Sequence, residues 1–332
     1  MNQKNNLQSW WKNFNRNNTY VLSLILFIIT TAVYLILQPA VMEEGVLARL
    51  IKSNFRTWLP VILLAVGQTI VMLGGGLDLS NGAIVSLLNV IMAVSITTVE
   101  EPRFNLLIVA AVIVFGLLAG FLNGFFTAVL DLQPMITTFA SSFVYSGLAL
   151  LILPNPGGKI PRDYTGVYRN AALWGIPLSI FVIAAVLLIW EIIKGRKYGR
   201  SLFAVGGDAE AAYTTGIRVT WIKISTYVIS GLLAALAAIS YTLLTGSGAA
   251  TSGDGMTLTA ITAAIIGGTA MSGGSGSLFG AVLGAIILGT IRNIISLARL
   301  DSWYRLLINA VVIVVALAGP GIINLFRREK SS

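Results

Sequence analysis

The sequence predicts an all-α polytopic membrane protein with about ten transmembrane helices, and three observations lead there. Hydrophobic residues fill 56% of the 332 positions and charged residues only 11%, with a mean hydropathy of +0.85, whereas soluble domains carry roughly 25% charged residues. The apolar positions fall in long runs, most of them near the roughly 20 residues a span requires. The cations behind the net charge of +9 gather at the ends of these runs and not along one polar face, so they report topology and no nucleic-acid surface.

The elements follow in order. Residues 1–19 are polar and Asn-rich, with Lys4, Lys12 and Arg16, and read as a cytoplasmic tail. The membrane domain is expected over 20–325 and a second cytoplasmic tail over 326–332. The apolar run 20–37 is long enough to span and lacks a convincing small-residue cleavage site after it, so it is a retained first span and not a signal peptide. Residues 41–58 mix Glu43, Glu44, Arg49, Lys52 and Arg56 with apolar positions, as an outer loop or an interfacial amphipathic helix does. Spans follow at 58–73 and 82–99, separated by the Gly-rich break Gly74 to Asn81, then at 104–130 and 135–153. The polar, Pro/Gly-rich loop 154–172 leads to a span at 173–193, with Trp174 at the level of an aromatic belt.

Residues 194–219 form the longest polar interruption. Lys194, Arg196, Lys197 and Arg200 open it as a positive anchor, and Gly206-Gly207 reads as a turn. Asp208 then precedes an Ala-rich run that stops at Gly216. Asp at the start and Gly at the end predict a capped helix of about two turns. Further spans are expected at 221–244, at 256–266 (short, ending in Gly267-Gly268), at 278–297 with Arg292, and at 303–318, before a tail with Arg327, Arg328 and Lys330. Counted this way with the N-terminus inside, the basic segments 194–219 and the C-terminal tail both fall in the cytoplasm, as the positive-inside rule requires.

The chain contains no Cys and no His, which excludes disulfides, thiolate nucleophiles, imidazole bases and the usual zinc sites. No GxxxxGK[ST] loop is present, so a nucleotide that drives this chain binds elsewhere. Two Gly-rich breaks echo each other: GGLDLSNG (75–82) and GGTAMSGG (267–274) align without gaps, Gly75 on Gly267, Gly76 on Gly268 and Ser80 on Ser272. Both follow an inward-running span, giving a parallel internal repeat. Paired breaks of this kind point to a transport path, because bare backbone at membrane depth must face protein or a water-filled cavity; as simple turns the same glycines would serve close helix packing. Asp78 within the first break is either a functional carboxylate or a cap for the following helix.

Four stretches carry a family likeness. VMLGGGLDLSNGAIVSL resembles the "GG-hydrophobic-DLS-x-G" signature of permeases in bacterial sugar-type ABC importers (ribose, galactose and xylose permease-like). GFLNGFFTAVLDLQPMITT, GGDAEAAYTTGIRV and AAIIGGTAMSGGSGSLFGAVLGA resemble three further segments of that family, in order, and together the four cover most of residues 60–325. The sequence departs from the pattern at Asp208, where Asn is usual, at Pro134-Met135-Ile136-Thr137-Thr138-Phe139 for "PFI-x-TL", and at Thr257-Leu258-Thr259, where an acidic residue often stands.

The resemblance implies a type II ABC importer-like permease of ten spans in the bacterial inner membrane, with both termini cytoplasmic. It implies pairing with a second permease subunit (identical or related), a cytoplasmic ABC ATPase that holds the ATP and Mg, and a periplasmic binding protein that delivers a monosaccharide or related solute. No cofactor is expected on this chain, and relatives that carry nucleosides keep a non-sugar solute as an alternative. Under this reading Gly207, Asp208, Glu210, Ala211, Ala212, Gly216 and Ile217 form the coupling helix to the ATPase, the two alanines together with Ala209 keeping it slim. Gly75, Gly76, Asp78, Ser80, Asn89, Asn123, Thr137, Gly267, Gly268 and Ser272 are candidates for the path or its breaks. Gln68, Thr138, Ser141 and Ser142 join them as polar groups within spans, able to bond sugar hydroxyls or neighbouring helices. Arg49, Arg56, Arg162 and Arg169, beside Glu43, Glu44 and Asp163, are docking charges for the binding protein or solvated loop charges. A secondary transporter built on Asp78 is the competing mechanism.

Overall fold

The computed structural model describes residues 20–38 and 45–298 and, beyond them, the separate positions 304, 307, 310, 311 and 314. The expected tail 1–19, most of the expected span 303–318 and the tail after it lie outside the described residues. The order of elements is α1 (Val21–Leu37), α2 (Val46–Leu73), α3 (Asn81–Ser95), α4 (Pro102–Ala128), α5 (Pro134–Ile152) and α6 (Arg162–Asn170). A hairpin of β1 (Ala172–Leu173) and β2 (Ile176–Pro177) follows, then α7 (Leu178–Lys194), α8 (Lys197–Gly207), α9 (Ala209–Thr214), α10 (Val219–Thr245), α11 (Met256–Ile266) and α12 (Leu278–Leu297).

Helices α2, α4, α5, α10 and α12 are long and apolar enough to cross a membrane, and α7 with α8, bent by 82°, makes a sixth if taken as one broken span. Helices α1, α3 and α11 are apolar but shorter. The centre of the molecule is α2, buried at every position from Leu59 to Leu73 and packed against α10, α11 and α12. Helix α4 closes on α10 through Gly116, Gly120 and Gly124. A methyl added at Gly116 would lie 2.5 Å from the Gly231 carbonyl oxygen and one at Gly124 2.9 Å from Ile224 Cα, so only hydrogen permits this approach, as small-residue stripes do in membranes. The outer faces of α4 and α5 remain apolar and exposed, with Leu106, Phe139, Phe143 and Leu151 among them.

Four expectations change. Residues 46–58 are not a separate loop or surface helix; they are the first turns of α2, which continues without interruption into the span. The loop 154–172 contains the nine-residue α6. The span expected from 173 starts at Leu178, because Trp174 and Gly175 both adopt positive φ (50° and 81°), the backbone of a two-residue hairpin turn. Finally, 194–219 holds two helices, not one. Lys197 to Gly207 is helical, so Gly206-Gly207 is the end of α8 and not a turn, and the basic segment is structured as well as charged.

Candidate functional site

The first break is built by the end of α2. Gly75 takes φ +79°, and the amides of Gly75 and Gly76 donate to the carbonyls of Met72 and Val71 at 2.9 and 3.0 Å, closing the helix with a left-handed residue. The chain then runs back beside α2 until Asn81 Nδ2 reaches Gln68 Oε1 at 3.3 Å. This returning segment is irregular backbone packed against α2, and several of its groups find partners on other helices. The Leu79 amide donates to Thr138 Oγ1 (3.0 Å), the Tyr227 hydroxyl donates to the Leu77 carbonyl (3.4 Å), and the Gly82 amide donates to Thr257 Oγ1 (3.0 Å).

Asp78 is the staple of this segment. Its side chain is fully enclosed, with Oδ1 accepting from the Ser80 amide (2.9 Å) and the Ser80 hydroxyl (2.7 Å), and Oδ2 accepting from Ser230 Oγ (2.8 Å). Ser80 Oγ in turn accepts from Asn123 Nδ2 at 2.7 Å. Ser80, not Asp78, holds the N-cap position of α3. The carboxylate therefore ties α3 and the break to α10 through Ser230, a partner that sequence reasoning missed.

The second break repeats the first with a different register. Gly268 takes φ +85°, and the amides of Gly268 and Thr269 donate to the Ile265 and Ala264 carbonyls at 2.9 and 3.0 Å. These are the counterparts of the Gly75 and Gly76 bonds. Gly75 thus corresponds to Gly268 and Gly76 to Thr269, one residue away from the ungapped alignment. The second break is also longer. Its next helix, α12, starts behind Ser277, whose Oγ accepts from the Gly280 amide (3.3 Å). Ser277 and not Ser272 therefore takes the place of Ser80, and Ser272 is exposed. Gly267 instead serves contact: a methyl there would lie 2.5 Å from Ala281 N of α12.

Both breaks meet the end of α8. A methyl on Gly206 would overlap the Leu73 carbonyl oxygen and lie 2.7 Å from Gly274 N. One on Gly273 would come within 2.5 Å of the Gly206 oxygen and 2.9 Å of Gly75 Cα, and one on Gly274 within 2.6 Å of Gly207 Cα. The Gly274 amide donates to the Leu73 carbonyl at 3.2 Å. Three chain segments thus touch backbone to backbone at one point, which no residue with a side chain would permit.

From this junction the chain passes directly into α9. Asp208 Oδ1 accepts from the Ala211 amide at 2.9 Å, capping the helix as its position demands. Gly216 with φ +82° ends it, and the Ile217 amide donates to the Ala212 carbonyl at 3.2 Å. Gly207, Asp208, Glu210, Ala211 and Gly216 are exposed, Ile217 is half-buried, and Ala212 faces inward, so its methyl packs within this chain. Tyr213 at the tip is 72% exposed. It is a large aromatic residue on the free face of α9, and the sequence reading passed over it because it stands within an Ala-rich run.

The remaining span residues are engaged internally. Asn89 Nδ2 donates to Thr242 Oγ1 (2.9 Å) and the Ser247 carbonyl (3.1 Å), while its Oδ1 accepts from the Ala249 amide (2.9 Å) and Ser252 Oγ (3.1 Å). All of its polar capacity goes to fixing the end of α10 and the segment ahead of α11. Thr137, Ser141 and Ser142 each bond a carbonyl of their own chain three or four residues back. Arg56 and Arg169 lie together at the end remote from α9, and Glu43 and Glu44 are outside the described residues.

Residues 51–317 match the family model described as branched-chain amino acid transport system / permease component. The chain is 33% identical over 257 residues to the ribose import permease protein of Bacillus subtilis, covering 76% of this chain and 79% of the relative. It is 31% identical over 259 residues to the D-allose transport system permease protein of Escherichia coli K12, covering 77% and 78%. It is 30% identical over 269 residues to an autoinducer 2 import system permease protein of Yersinia pseudotuberculosis, covering 79% and 74%. No solved structure matches.

Proposed function

The chain belongs to the family of branched-chain amino acid transport system permease components, as a relative of the sugar ABC importer permeases, and from that premise we propose that it forms the translocation path for a monosaccharide or related polyhydroxylated solute, driven by ATP hydrolysis on a partner chain. The observation that carries this reading is the junction at Gly206. There the end of α8, one residue ahead of the exposed helix α9, touches both glycine breaks at once, so a push on α9 reaches both breaks through the end of α8.

In this reading Asp208, Glu210, Ala211, Gly216 and Ile217, with Tyr213, present α9 to a cytoplasmic ATPase that carries ATP and Mg, and Gly207, the last residue of α8, leads from the junction into α9. The breaks around Gly75, Gly76, Asp78, Ser80, Gly267 and Gly268 are the moving parts of the path. Asn89 and Asn123 hold their surroundings in register, and Thr137 and Ser272 border the moving parts. About ten spans in a type II-like arrangement, both termini in the cytoplasm, a second permease subunit and a periplasmic binding protein complete the proposed importer. The names of the relatives, which concern ribose, D-allose and autoinducer 2, support a small hydroxyl-rich cargo.

The test is reconstitution with the ATPase and binding protein. Ala211→Arg with Tyr213→Ala is expected to abolish uptake and binding-protein-stimulated ATP hydrolysis in a chain that still inserts. Uptake that survives these changes, or that persists without ATP and collapses with an uncoupler, would sink the proposal.

A further inference from the structure

At the end of the molecule remote from α9, a cavity of about 510 Å³ opens between α3, α4, α6 and α10. That size falls within the range of roughly 300–1,000 Å³ typical of ligand pockets. Its wall is apolar, with Ile96, Val109, Ile239 and Leu243 among its residues. Helix α6 forms the roof. Tyr164, Val167, Tyr168 and the following Ala171 line the space at i, i+3, i+4 and i+7, so the apolar stripe of an amphipathic helix covers a void and not a packed surface. Helices of this kind lie at the boundary of headgroups and acyl chains, which sets the depth of the cavity just below that boundary. Asn105, itself buried, spends its Nδ2 on the Thr98 carbonyl (2.6 Å) and Tyr164 hydroxyl (3.0 Å), leaving its Oδ1 in the wall without a partner.

Three cations gather at the rim. Lys52 Nζ donates to the Asn170 carbonyl at 3.4 Å, Arg56 Nη1 donates to the Arg169 carbonyl, and Arg169 Nη2 donates to the Leu244 carbonyl at 2.8 Å. They collect where α6 ends, the negative pole of that helix. Among the described residues none of them has a carboxylate partner, the one ion pair there being Lys194 with Glu191. An apolar slot at acyl-chain depth, with positive charge that no carboxylate among the described residues neutralises where a phosphate would lie, matches one class of molecule.

We propose that this cavity holds an acyl chain of an anionic glycerophospholipid whose phosphate is drawn to Lys52, Arg56 and Arg169. Asn105 Oδ1 accepts a hydrogen bond from a hydroxyl of the glycerol or headgroup. The site is separate from the α9 junction, and its existence does not depend on the cargo.

The test uses the purified full chain, stripped of lipid and titrated with dioleoyl phosphatidylglycerol, dioleoyl phosphatidylcholine or oleate. Retained molecules are counted by native mass spectrometry, and thermal midpoints are read in parallel. The expected result is one tightly held phosphatidylglycerol per chain and a raised midpoint. Arg56→Gln with Arg169→Gln should weaken that binding roughly thirtyfold, from about 1 kcal/mol per cation near an anionic lipid, and leave only the preference over phosphatidylcholine that Lys52 supplies. Val109→Trp, which fills the slot, should remove it. Equal binding of the two phospholipids by the unaltered chain overturns the headgroup assignment, and oleate matching phosphatidylglycerol would mean a free fatty acid is the occupant. Undiminished binding in a folded Val109→Trp chain overturns the slot. If that variant does not fold, the double Gln variant, altered only at the rim, decides.

Discussion

A carboxylate withdrawn from water is costly unless its lone pairs are filled, and Asp78 is filled from both sides by Ser80 and Ser230. Asp78→Leu would strand the Ser80 amide and two hydroxyls, at about 1–3 kcal/mol for each buried donor left alone. Asp78→Asn keeps one acceptor facing Ser80, while the Ser230 hydroxyl can rotate to accept from the new amide. The thermal midpoint of the purified protein should therefore fall in the order wild type, Asn, Leu, and equal midpoints for all three would refute the staple. Asn89 makes the complementary case. With four hydrogen bonds to Thr242, Ser247, Ala249 and Ser252, Asn89→Leu should lower the midpoint and leave the choice of solute unchanged; altered solute preference in competition uptake would restore it to the path. The sequence marks Asn89 and Asn123 as polar groups inside apolar runs. Their partners were not legible, because those lie on other segments, more than 150 residues away for Asn89, and only folding brings them near.

At the scale of elements, the breaks were legible because glycine clusters in apolar sequence leave few alternatives to a helix end. Their register was not. The ungapped match follows Gly identities, whereas the backbone aligns by the helix-ending bonds at Gly75 and Gly268, and the longer second loop shifts the next cap to Ser277. Helix α8 was hidden for a related reason: Gly206-Gly207 reads as a turn by propensity, yet tertiary contact with Leu73 and Gly274 keeps Gly206 helical. The two glycines separate in their consequences. At Gly207 an added methyl meets nothing within 4 Å, so Gly207→Ala should be silent or stabilise α8 by up to about 1 kcal/mol. At Gly206 the methyl must displace either α8 or both breaks. Gly206→Ala should reduce uptake at least about tenfold, the equivalent of roughly 1.4 kcal/mol, and lower the solute moved per ATP hydrolysed in proteoliposomes. Coupling that is equal in the two variants would show that the junction transmits nothing.

For the whole molecule, composition alone gave the class, since 11% charged residues in 332 cannot dress a soluble surface of this size. The number of crossings was harder to read. Periodicity does not distinguish a full span from the shorter α3 and α11, which enter the interior beside a break, nor a straight span from α7 and α8 with their 82° bend. Orientation can be decided directly, and the absence of Cys makes single-cysteine variants unambiguous. Helix α10, 27 residues long and so about 40 Å at 1.5 Å per residue, has α9 at its start and α6 packed at its end, where Thr165 meets Gly246. Glu210 on α9 is exposed, and an added side chain at Gly166 on α6 meets nothing within 4 Å, so neither Glu210→Cys nor Gly166→Cys should disturb the fold. With a membrane-impermeant maleimide on sealed, right-side-out vesicles, the Gly166→Cys chain should label at once and the Glu210→Cys chain only after permeabilisation. Labelling of both from one side would mean that α10 does not cross the membrane. The reverse pattern would place α9 outside, away from any cytoplasmic ATPase, and would remove the basis for coupling through Gly206.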